Sequence, residues 1–171
     1  MDHLWAPWRL SYVAAPKPIS GEDPCFICRG LAADDDRANL IALRTRQAVV
    51  ILNRFPYNNG HLLVAPRAHK GRLNELDTAE VLDTQDTLRR MADALDSLLK
   101  PDGYNVGLNL GRAGGAGLPG HLHWHIVPRW HGDSNYMTVT ADTRVLVQSL
   151  DALWELLTDW IRKQPNIETS N

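Results

Sequence analysis

Three histidines, His121, His123 and His125, alternate with apolar residues in one short segment of the chain. Alternate side chains of a β-strand point to the same face, so the pattern predicts three imidazoles together and the apolar residues facing a core. Histidine, with an unperturbed pKa of about 6.5, can be a nucleophile, a base or a metal ligand near neutral pH. A surface cluster or an incidental metal-chelating tract is the alternative.

A glycine-rich segment, residues 111–120, directly precedes these histidines and is here called the glycine loop. Small residues let backbone N–H groups approach a ligand, and successive N–H groups can form an anion-binding concavity. Arg112 adds a positive charge suited to phosphate oxygens. A flexible hairpin connection is the alternative, but the position beside the histidines favours a phosphate-binding loop, with Gly111, Arg112 and Gly117 as candidates.

The two cysteines, Cys25 and Cys28, have the Cys-x-x-Cys spacing. This spacing fits a redox pair or one half of a zinc site. The βαβ pattern expected around a redox pair is not evident. Two further ligands would favour zinc, and His69 and His121 could supply them. Two packed thiols beside histidines that bond to the backbone are the alternative.

The elements that must position these residues follow from periodicity and turn signals. Strands are predicted at residues 40–43, 48–53, 61–65, 104–110 and 121–129, with a further short strand at 137–140. Asp77 and Glu80 form a predicted capping box at the start of a long helix, and a last helix is predicted from about Asp142 to Gln164. Short turns and two segregated helices indicate an α+β fold: an antiparallel sheet of about five strands with two main helices.

Length and composition favour one domain with a sizeable core, since the 171 residues are 44% hydrophobic. The net charge of −2 gives no general surface for nucleic acid or an acidic membrane. No apolar run has the length of a transmembrane helix, and the start of the chain lacks a signal-peptide pattern. We expect a cytoplasmic protein with an extended arm at residues 1–24, a single domain at 25–163 and a polar tail at 164–171.

Three blocks of the sequence resemble the histidine triad (HIT) superfamily of nucleotide hydrolases and transferases. They are the histidine segment at residues 121–127, the block at residues 52–66 and the opening at residues 4–9. The opening and residues 128–136 look most like the bacterial diadenosine tetraphosphate phosphorylase branch. The resemblance covers most of the chain and implies a HIT-like fold.

The resemblance implies roles for single residues. His123 would attack the α-phosphorus of a nucleotide, and water or orthophosphate would then cleave the nucleotidyl-histidine. His125 would interact with the phosphate or the leaving group, and His61 would hold a triad imidazole in the right tautomer. Asn53 would bind ribose hydroxyls and Asn109 the phosphate region. For the two asparagines turn capping is the alternative, and for His61 a half-exposed position at a strand end.

The resemblance also implies cofactors and partners. Zinc-bearing relatives close a site with one histidine from each block, which predicts one structural zinc per chain on Cys25, Cys28, His69 and His121. The implied substrate is diadenosine tetraphosphate, accompanied by Mg²⁺ as a counter-ion, with orthophosphate as the acceptor and ADP and ATP as products. A homodimer or a higher assembly is implied as well.

The glycine loop departs from the pattern of several relatives, which place a serine or glutamine there to contact the scissile phosphate. Backbone N–H groups and Arg112 would have to act instead. A hydrolase of dinucleoside polyphosphates or nucleoside phosphoramidates is therefore the alternative. A zinc-containing, non-catalytic nucleotide-binding module is a third reading, which the intact His123 disfavours.

Further side chains are expected around this site. Four cations could neutralise a polyphosphate: Arg67, Lys70, Arg72 and Arg129. Two apolar residues near the cysteines, Phe26 and Ile27, could contact a base or belong to the core. The aromatic N-terminal arm and the last helix, which bears Trp154 and Trp160, are expected to add apolar surface that a dimer would cover.

Overall fold

One antiparallel sheet forms the framework of the chain, in a computed structural model that describes residues 25–133 and 148–165. The predicted arm at 1–24, the strand at 137–140 and the end of the tail lie outside the described residues. The strands of the described part are β1 (Ile41–Arg44), β2 (Ala48–Leu52), β3 (Leu62–Pro66), β4 (Gly103–Leu108) and β5 (Trp124–Arg129). Its α-helices are α1 (Phe26–Ala32), α2 (Thr78–Leu99) and α3 (Leu150–Arg162), with a 3₁₀ turn at Leu73–Glu75.

The sheet has the order β1-β2-β3-β5-β4, with every neighbouring pair antiparallel. The predicted α+β class and the number of strands are confirmed. Every residue of β2 and β3 is buried, because helices cover both faces at the centre of the sheet. The two central strands therefore appear in the sequence as unbroken apolar runs.

Helix α2 begins where the sequence predicted. The Asp77 carboxylate accepts a hydrogen bond from the Glu80 N–H at 2.9 Å, and Glu80 accepts one from the Asp77 N–H at 2.8 Å. This is the predicted capping box, which satisfies two helical N–H groups that would otherwise lack partners. The helix packs with α3 on one face of the sheet, and buried members of this core include Leu62, Val64, Met91, Leu95, Ile126, Leu153 and Leu157.

Helix α3 begins later than predicted. Ser149 caps it by accepting a hydrogen bond from the Ala152 N–H at 3.2 Å, so the helix starts at Leu150 rather than near Asp142. Trp154 and Trp160 pack against the core, and the Trp154 indole donates to the Ile41 carbonyl at 2.7 Å. The two tryptophans are thus partly buried, whereas Leu156 on the same helix is 44% exposed, and the expected dimer surface on α3 stays a prediction. None of the described helices is long and apolar enough to cross a bilayer.

Helix α1 covers the opposite face of the sheet and was not predicted, because seven residues are too few for a clear helical period. Ile27 is fully buried in this second cluster, so it belongs to the core, whereas Phe26 is 39% exposed. Arg44 donates to the carbonyls of Gly30 and Leu31 at 3.1 and 2.9 Å. Those carbonyls lie in the last turn of the helix, where carbonyls lack the usual helical N–H partners, so the Arg44 guanidinium adds hydrogen bonds there and fixes α1 against β1.

Candidate active site and metal site

The turn between β2 and β3 places His61 at the centre of the site. Gly60 has a φ of +76°, and a Cβ there would lie 2.6 Å from the Leu99 Cδ1 atom. Glycine alone combines this backbone conformation with so close an approach. His61 follows immediately and is 1% exposed, which corrects the alternative of a half-exposed histidine at a strand end.

The three triad histidines do not share one strand, because β5 begins at Trp124 and only His125 lies in the ladder. Before that point the backbone bonds outside the sheet: the Leu122 N–H donates to the Lys70 carbonyl at 2.7 Å. The prediction of one continuous histidine strand is thus wrong in its start. His121 turns to the cysteine pair, while the rings of His123 and His125 stay together, with centroids 5.2 Å apart.

The four predicted metal ligands come together although they lie in three separate segments. Cys25 Sγ lies 3.2 Å from His121 Nδ1, and Cys28 Sγ lies 3.2 Å from His69 Nδ1. All four ligand atoms lie within 4.8 Å of one another. Tetrahedral zinc, with Zn–S of ~2.3 Å and Zn–N of ~2.0–2.1 Å, separates sulfur and nitrogen ligands by roughly 3.5 Å. The set could therefore hold a metal ion of this kind.

Hydrogen bonding prepares His121 for a metal. Its Nε2 lies 2.8 Å from the Pro66 carbonyl, which can only accept, so Nε2 carries the proton and Nδ1 presents its lone pair to the sulfurs. Burial keeps the pKa of His121 below its usual value, which favours this neutral form. Burial, with the neighbouring Cys25, raises the pKa of Cys28 to about 11. A metal cation would oppose that rise by stabilising the thiolate.

The same argument fixes the tautomer of His123. Its Nδ1 donates to the His121 carbonyl at 2.8 Å, which leaves the Nε2 lone pair available. An imidazole held in this way is prepared for nucleophilic attack. His123 is 6% exposed, so its ring is held with little freedom to turn away from that carbonyl.

His125 has the opposite tautomer, which follows from a chain of hydrogen bonds. The Tyr57 N–H donates to His61 Nδ1 at 3.0 Å, so the His61 proton must be on Nε2. That Nε2 lies 2.9 Å from His125 Nδ1, which therefore accepts, and the His125 proton is on Nε2. A hydrogen-bond donor on His125 thus stands beside a nucleophilic nitrogen on His123.

Burial keeps His61 and His125 neutral. It lowers the pKa of His61 to about 3, with further contributions from His125 and His123. Burial, with His123 nearby, lowers the pKa of His125 to about 4. The neutral forms required by the hydrogen-bond chain are therefore those expected near pH 7.

Sequence reasoning missed Tyr57. Its ring is stacked on His125 with centroids 5.7 Å apart and planes at 16°, and it lies 4.5 Å from the ring of His61. The aromatic residue in a proline- and asparagine-rich turn was the only signal available. Nothing in its sequence position indicates that the turn folds over the histidines.

The structure uses Asn53 for the turn. Its Oδ1 accepts from the Phe55 N–H at 2.9 Å, and its Nδ2 lies 3.2 Å from His61 Nδ1. This is the turn-capping role given above as the alternative, with an added contact to His61. Ribose binding by Asn53 stays a prediction. Asn109 follows β4, and a Cβ on Gly115 would lie 3.9 Å from its Nδ2, so it borders the glycine loop.

The glycine loop folds as a compact, largely exposed turn. Gly111 has a φ of +66°, and its carbonyl accepts from the Ala116 N–H at 3.1 Å. A Cβ on Gly114 would lie 2.3 Å from the Leu110 carbonyl oxygen. Gly111 and Gly117 differ from Gly114, because a Cβ on either would meet no described atom within 4 Å. Open space above Gly117 would let a ligand approach its backbone closely.

Most of the predicted cations have structural partners. Lys70 pairs with the buried Glu80 at 2.6 Å, and Arg129 pairs with Asp133 at 2.6 Å. Arg112, in the glycine loop, is exposed. The expected polyphosphate role of Lys70 and Arg129 therefore competes with ion pairs already formed.

The remaining two cations have different surroundings. Arg67 donates to the Thr45 carbonyl at 3.1 Å. Arg72 lines a cleft of about 840 Å³, bordered by Gly111 and Gly120 at the two ends of the glycine loop. Five arginines and lysines were expected around the phosphates. Two of them stay accessible to a ligand, Arg72 in the cleft and Arg112 on the exposed glycine loop.

The chain is similar to known proteins. A family model described as HIT domain matches residues 37–132. An AP-4-A phosphorylase of Mycobacterium tuberculosis is 34% identical over 168 residues, covering 95% of this chain and 86% of that protein. A bis(5'-nucleosyl)-tetraphosphatase (asymmetrical) of Schizosaccharomyces pombe is 30% identical over 90 residues, covering 53% of this chain and 49% of that protein.

The solved structures agree on the fold. A Zn-bound histidine triad family protein from Mycobacterium smegmatis superposes with a TM-score of 0.66 and 24% identity, covering 82% of this chain and 94% of that one. The family match and the similarity along almost the whole chain agree with the fold. The chain belongs to the HIT domain family and is an enzyme.

Proposed function

We propose that this enzyme cleaves dinucleoside polyphosphates through a covalent nucleotidyl-His123, and that its favoured reaction is phosphorolysis of diadenosine tetraphosphate to ADP and ATP. The observation that carries the proposal is the pair of opposite tautomers. His123 offers a lone pair at Nε2, and His125 beside it offers a proton at Nε2. The similarity to the M. tuberculosis phosphorylase supports the choice of substrate.

These tautomers suit a two-step transfer. His123 Nε2 forms a bond to the α-phosphorus while the bond from that phosphorus to the bridging oxygen breaks. The N–H at His125 Nε2 donates a hydrogen bond to the leaving oxygen, which departs with its negative charge as ATP, and His61 holds His125 in the required tautomer. An oxygen of orthophosphate then attacks the same phosphorus, which releases ADP and restores His123.

Backbone N–H groups of the glycine loop would hold the phosphates during both steps. Gly111 and Gly117 leave the backbone accessible, and Arg112 supplies charge. Asn109 borders the loop at the phosphate end, and Asn53 would reach the ribose from the turn before β3. Mg²⁺ would accompany the polyphosphate as a counter-ion.

The cluster of Cys25, Cys28, His69 and His121 would hold one structural zinc per chain. Two sulfurs and two imidazole nitrogens are ligands that zinc prefers, and four protein ligands leave no open position. Bound there, zinc would join α1 to the segment that precedes β5. The reaction itself is carried by histidines outside this ligand set, His123 and His125.

Hydrolysis to AMP and ATP is the second candidate. The absence of serine and glutamine from residues 111–120 favours it, since a side chain that contacts the scissile phosphate in several relatives is missing. The tetraphosphatase of S. pombe supports the same candidate. In that case water would take the place of orthophosphate in the second step.

Analysis of the reaction products distinguishes phosphorolysis from hydrolysis. Purified enzyme is incubated with diadenosine tetraphosphate with and without orthophosphate, and the nucleotides are separated by chromatography. ADP and ATP that appear only with orthophosphate support phosphorolysis, with slower formation of AMP and ATP in its absence. AMP and ATP at every phosphate concentration would identify a hydrolase. Cleavage of nucleoside phosphoramidates alone would exclude the dinucleoside substrate.

A homodimer is proposed as the assembly. Among the described strands β4 lies at one edge of the sheet and its Val106 is 55% exposed, so this strand would offer backbone groups and apolar surface to a second copy. Sedimentation at micromolar concentration would test this against a monomer of 19.2 kDa. The cytoplasmic location stays a prediction from the sequence.

A further inference from the structure

The cleft beside the glycine loop has the size and lining of a ligand pocket. Its volume of about 840 Å³ lies within the ~300–1,000 Å³ of small-molecule sites. One wall is the segment from His69 to Glu75, and the other is formed by residues next to the glycine loop and at its two ends. Neither His123 nor His125 lines this cleft.

Apolar side chains on both walls are unusually exposed. Leu73 is 47% exposed and Leu110 is 46% exposed, and Pro119 adds a third apolar surface. Leucines on a protein surface are common singly, but two that line one concave site suit a flat apolar ligand such as a nucleobase.

Polar groups in the cleft favour an anionic ligand. Arg72 lines it, and a guanidinium binds phosphate oxygens well. The Glu75 carboxylate is directed to the backbone instead, because its Oε2 accepts from the N–H groups of Gly71 and Arg72 at 2.9 and 3.0 Å. Asn74 adds an amide that can bond to a base edge or a ribose.

The cleft is tied to the reacting segment. The Leu122 N–H donates to the Lys70 carbonyl, and a Cβ on Gly71 would lie 3.1 Å from the Pro119 carbonyl oxygen. The wall bearing Arg72 is thus packed against residues just before His123. A ligand in the cleft would border the loop that is proposed to hold the phosphates.

We infer that this cleft binds the second nucleotide of a dinucleoside polyphosphate, the part that leaves when His123 attacks. The base would lie between Leu73 and Leu110, with Arg72 on the phosphate chain. The inference rests on the proposed function, because only a substrate with two nucleosides would fill both sites. It names Arg72 and Leu73 as residues that set preference for dinucleotides.

The test compares two substrates that transfer the same nucleotidyl group. Diadenosine tetraphosphate carries the second nucleoside, whereas the p-nitrophenyl ester of AMP does not. Leu73→Ser removes apolar contact from the cleft wall, and the loss of one buried leucine contact corresponds to roughly tenfold in kcat/KM. We expect the ratio of kcat/KM for the tetraphosphate over the ester to fall by that factor, and to fall similarly for Arg72→Ala.

Leu82→Ser is the matched control, since Leu82 is 64% exposed on α2 and does not line the cleft. It should keep the wild-type ratio. A second measurement uses titration calorimetry on His123→Asn protein, where Leu73→Ser should weaken binding of diadenosine tetraphosphate more than binding of AMP. Leu73 and Leu82 both have exposed side chains, and thermal unfolding verifies that the Leu73→Ser and Leu82→Ser proteins fold.

The outcomes separate this inference from the proposed function. If wild-type enzyme cleaves the ester and not diadenosine tetraphosphate, the proposed substrate class fails and the inference with it. If the tetraphosphate is cleaved and both cleft variants keep the wild-type ratio, the cleft is not the second site while the proposed function stands. Equal losses on both substrates would also overturn the inference, because the cleft would then serve the shared chemistry.

Discussion

The burial of His61 makes the stability of this enzyme sensitive to mild acid. The side chain is 1% exposed, and burial lowers its pKa to about 3 from an ordinary value near 6.5. Between these two values the unfolded chain binds a proton at this residue and the folded chain does not. The contribution to stability is therefore complete above about pH 6.5 and is lost as the pH falls toward 3.

The size of the effect follows from linkage. For a group with an unfolded pKa near 6.5 that stays neutral when folded, lowering the pH from about 7.5 to about 5 costs about 2 kcal/mol. His125 adds to this loss in the same direction, because its pKa is also lowered. Its share is smaller, since its ring is less buried and solvent screens it.

Urea unfolding of wild-type and His61→Gln protein across this pH range measures the effect. Glutamine cannot titrate, so the variant should lose about 2 kcal/mol less than wild type between about pH 7.5 and 5, whatever the cost of the substitution itself. Both proteins are compared at the same measured metal content. His131→Gln is the matched control: that side chain is 95% exposed and its ion pair with Asp102 is screened by solvent, so the slope should change far less than in His61→Gln.

Parallel stability curves for wild type and His61→Gln would refute the reasoning. They would mean that the folded protein accepts a proton on His61 as readily as the unfolded chain does. The hydrogen bond from the Tyr57 N–H to His61 Nδ1, and the tautomers derived from it, would then need to be abandoned.

The other predictions concern the nucleophile, the turn and the metal. His123→Asn should lower turnover by at least ~10³-fold while nucleotide binding survives, and near-wild-type activity would exclude His123 as the nucleophile. Gly60→Ala should destabilise the fold by about 1–3 kcal/mol, because its Cβ would meet Leu99; an unchanged urea midpoint would contradict this. Elemental analysis of untagged protein should find one zinc per chain, and chelation or Cys28→Ser should lower the melting temperature. Protein without zinc, or with unaltered melting after chelation, would contradict the structural role.

Local signals in the sequence were reliable where a few neighbouring residues decide the structure. The capping box of Asp77 and Glu80 is such a case, because both hydrogen bonds join residues three apart. The five strands were found within one or two residues at most of their ends because their apolar runs end at polar or turn residues. Ser149 carried an equally local capping signal, and the late start of α3 could have been found from it.

Features that depend on distant contacts could not be found in this way. Helix α1 is fixed by Arg44, which lies on a strand thirteen residues beyond Leu31. The ring of Tyr57 reaches His125 only because β3 and β5 are neighbours in the sheet. Alternating histidines indicated a shared strand, but the Lys70 carbonyl binds the backbone at Leu122 and turns His121 away.

Because of that turn, His121 contacts both the cysteine pair and His123. Its side chain faces the cysteines through Nδ1, and its carbonyl accepts a hydrogen bond from the His123 Nδ1–H, with 2.8 Å between nitrogen and oxygen. An imidazole whose Nδ1 proton is held by a carbonyl cannot present that proton elsewhere, so the reactive lone pair stays on Nε2. A metal that fixes the His121 side chain would also fix this carbonyl, and with it the tautomer of the neighbouring histidine. A metal on these four ligands would therefore act on the neighbouring histidine pair through the backbone of His121, although the ligand set leaves no position open for the substrate.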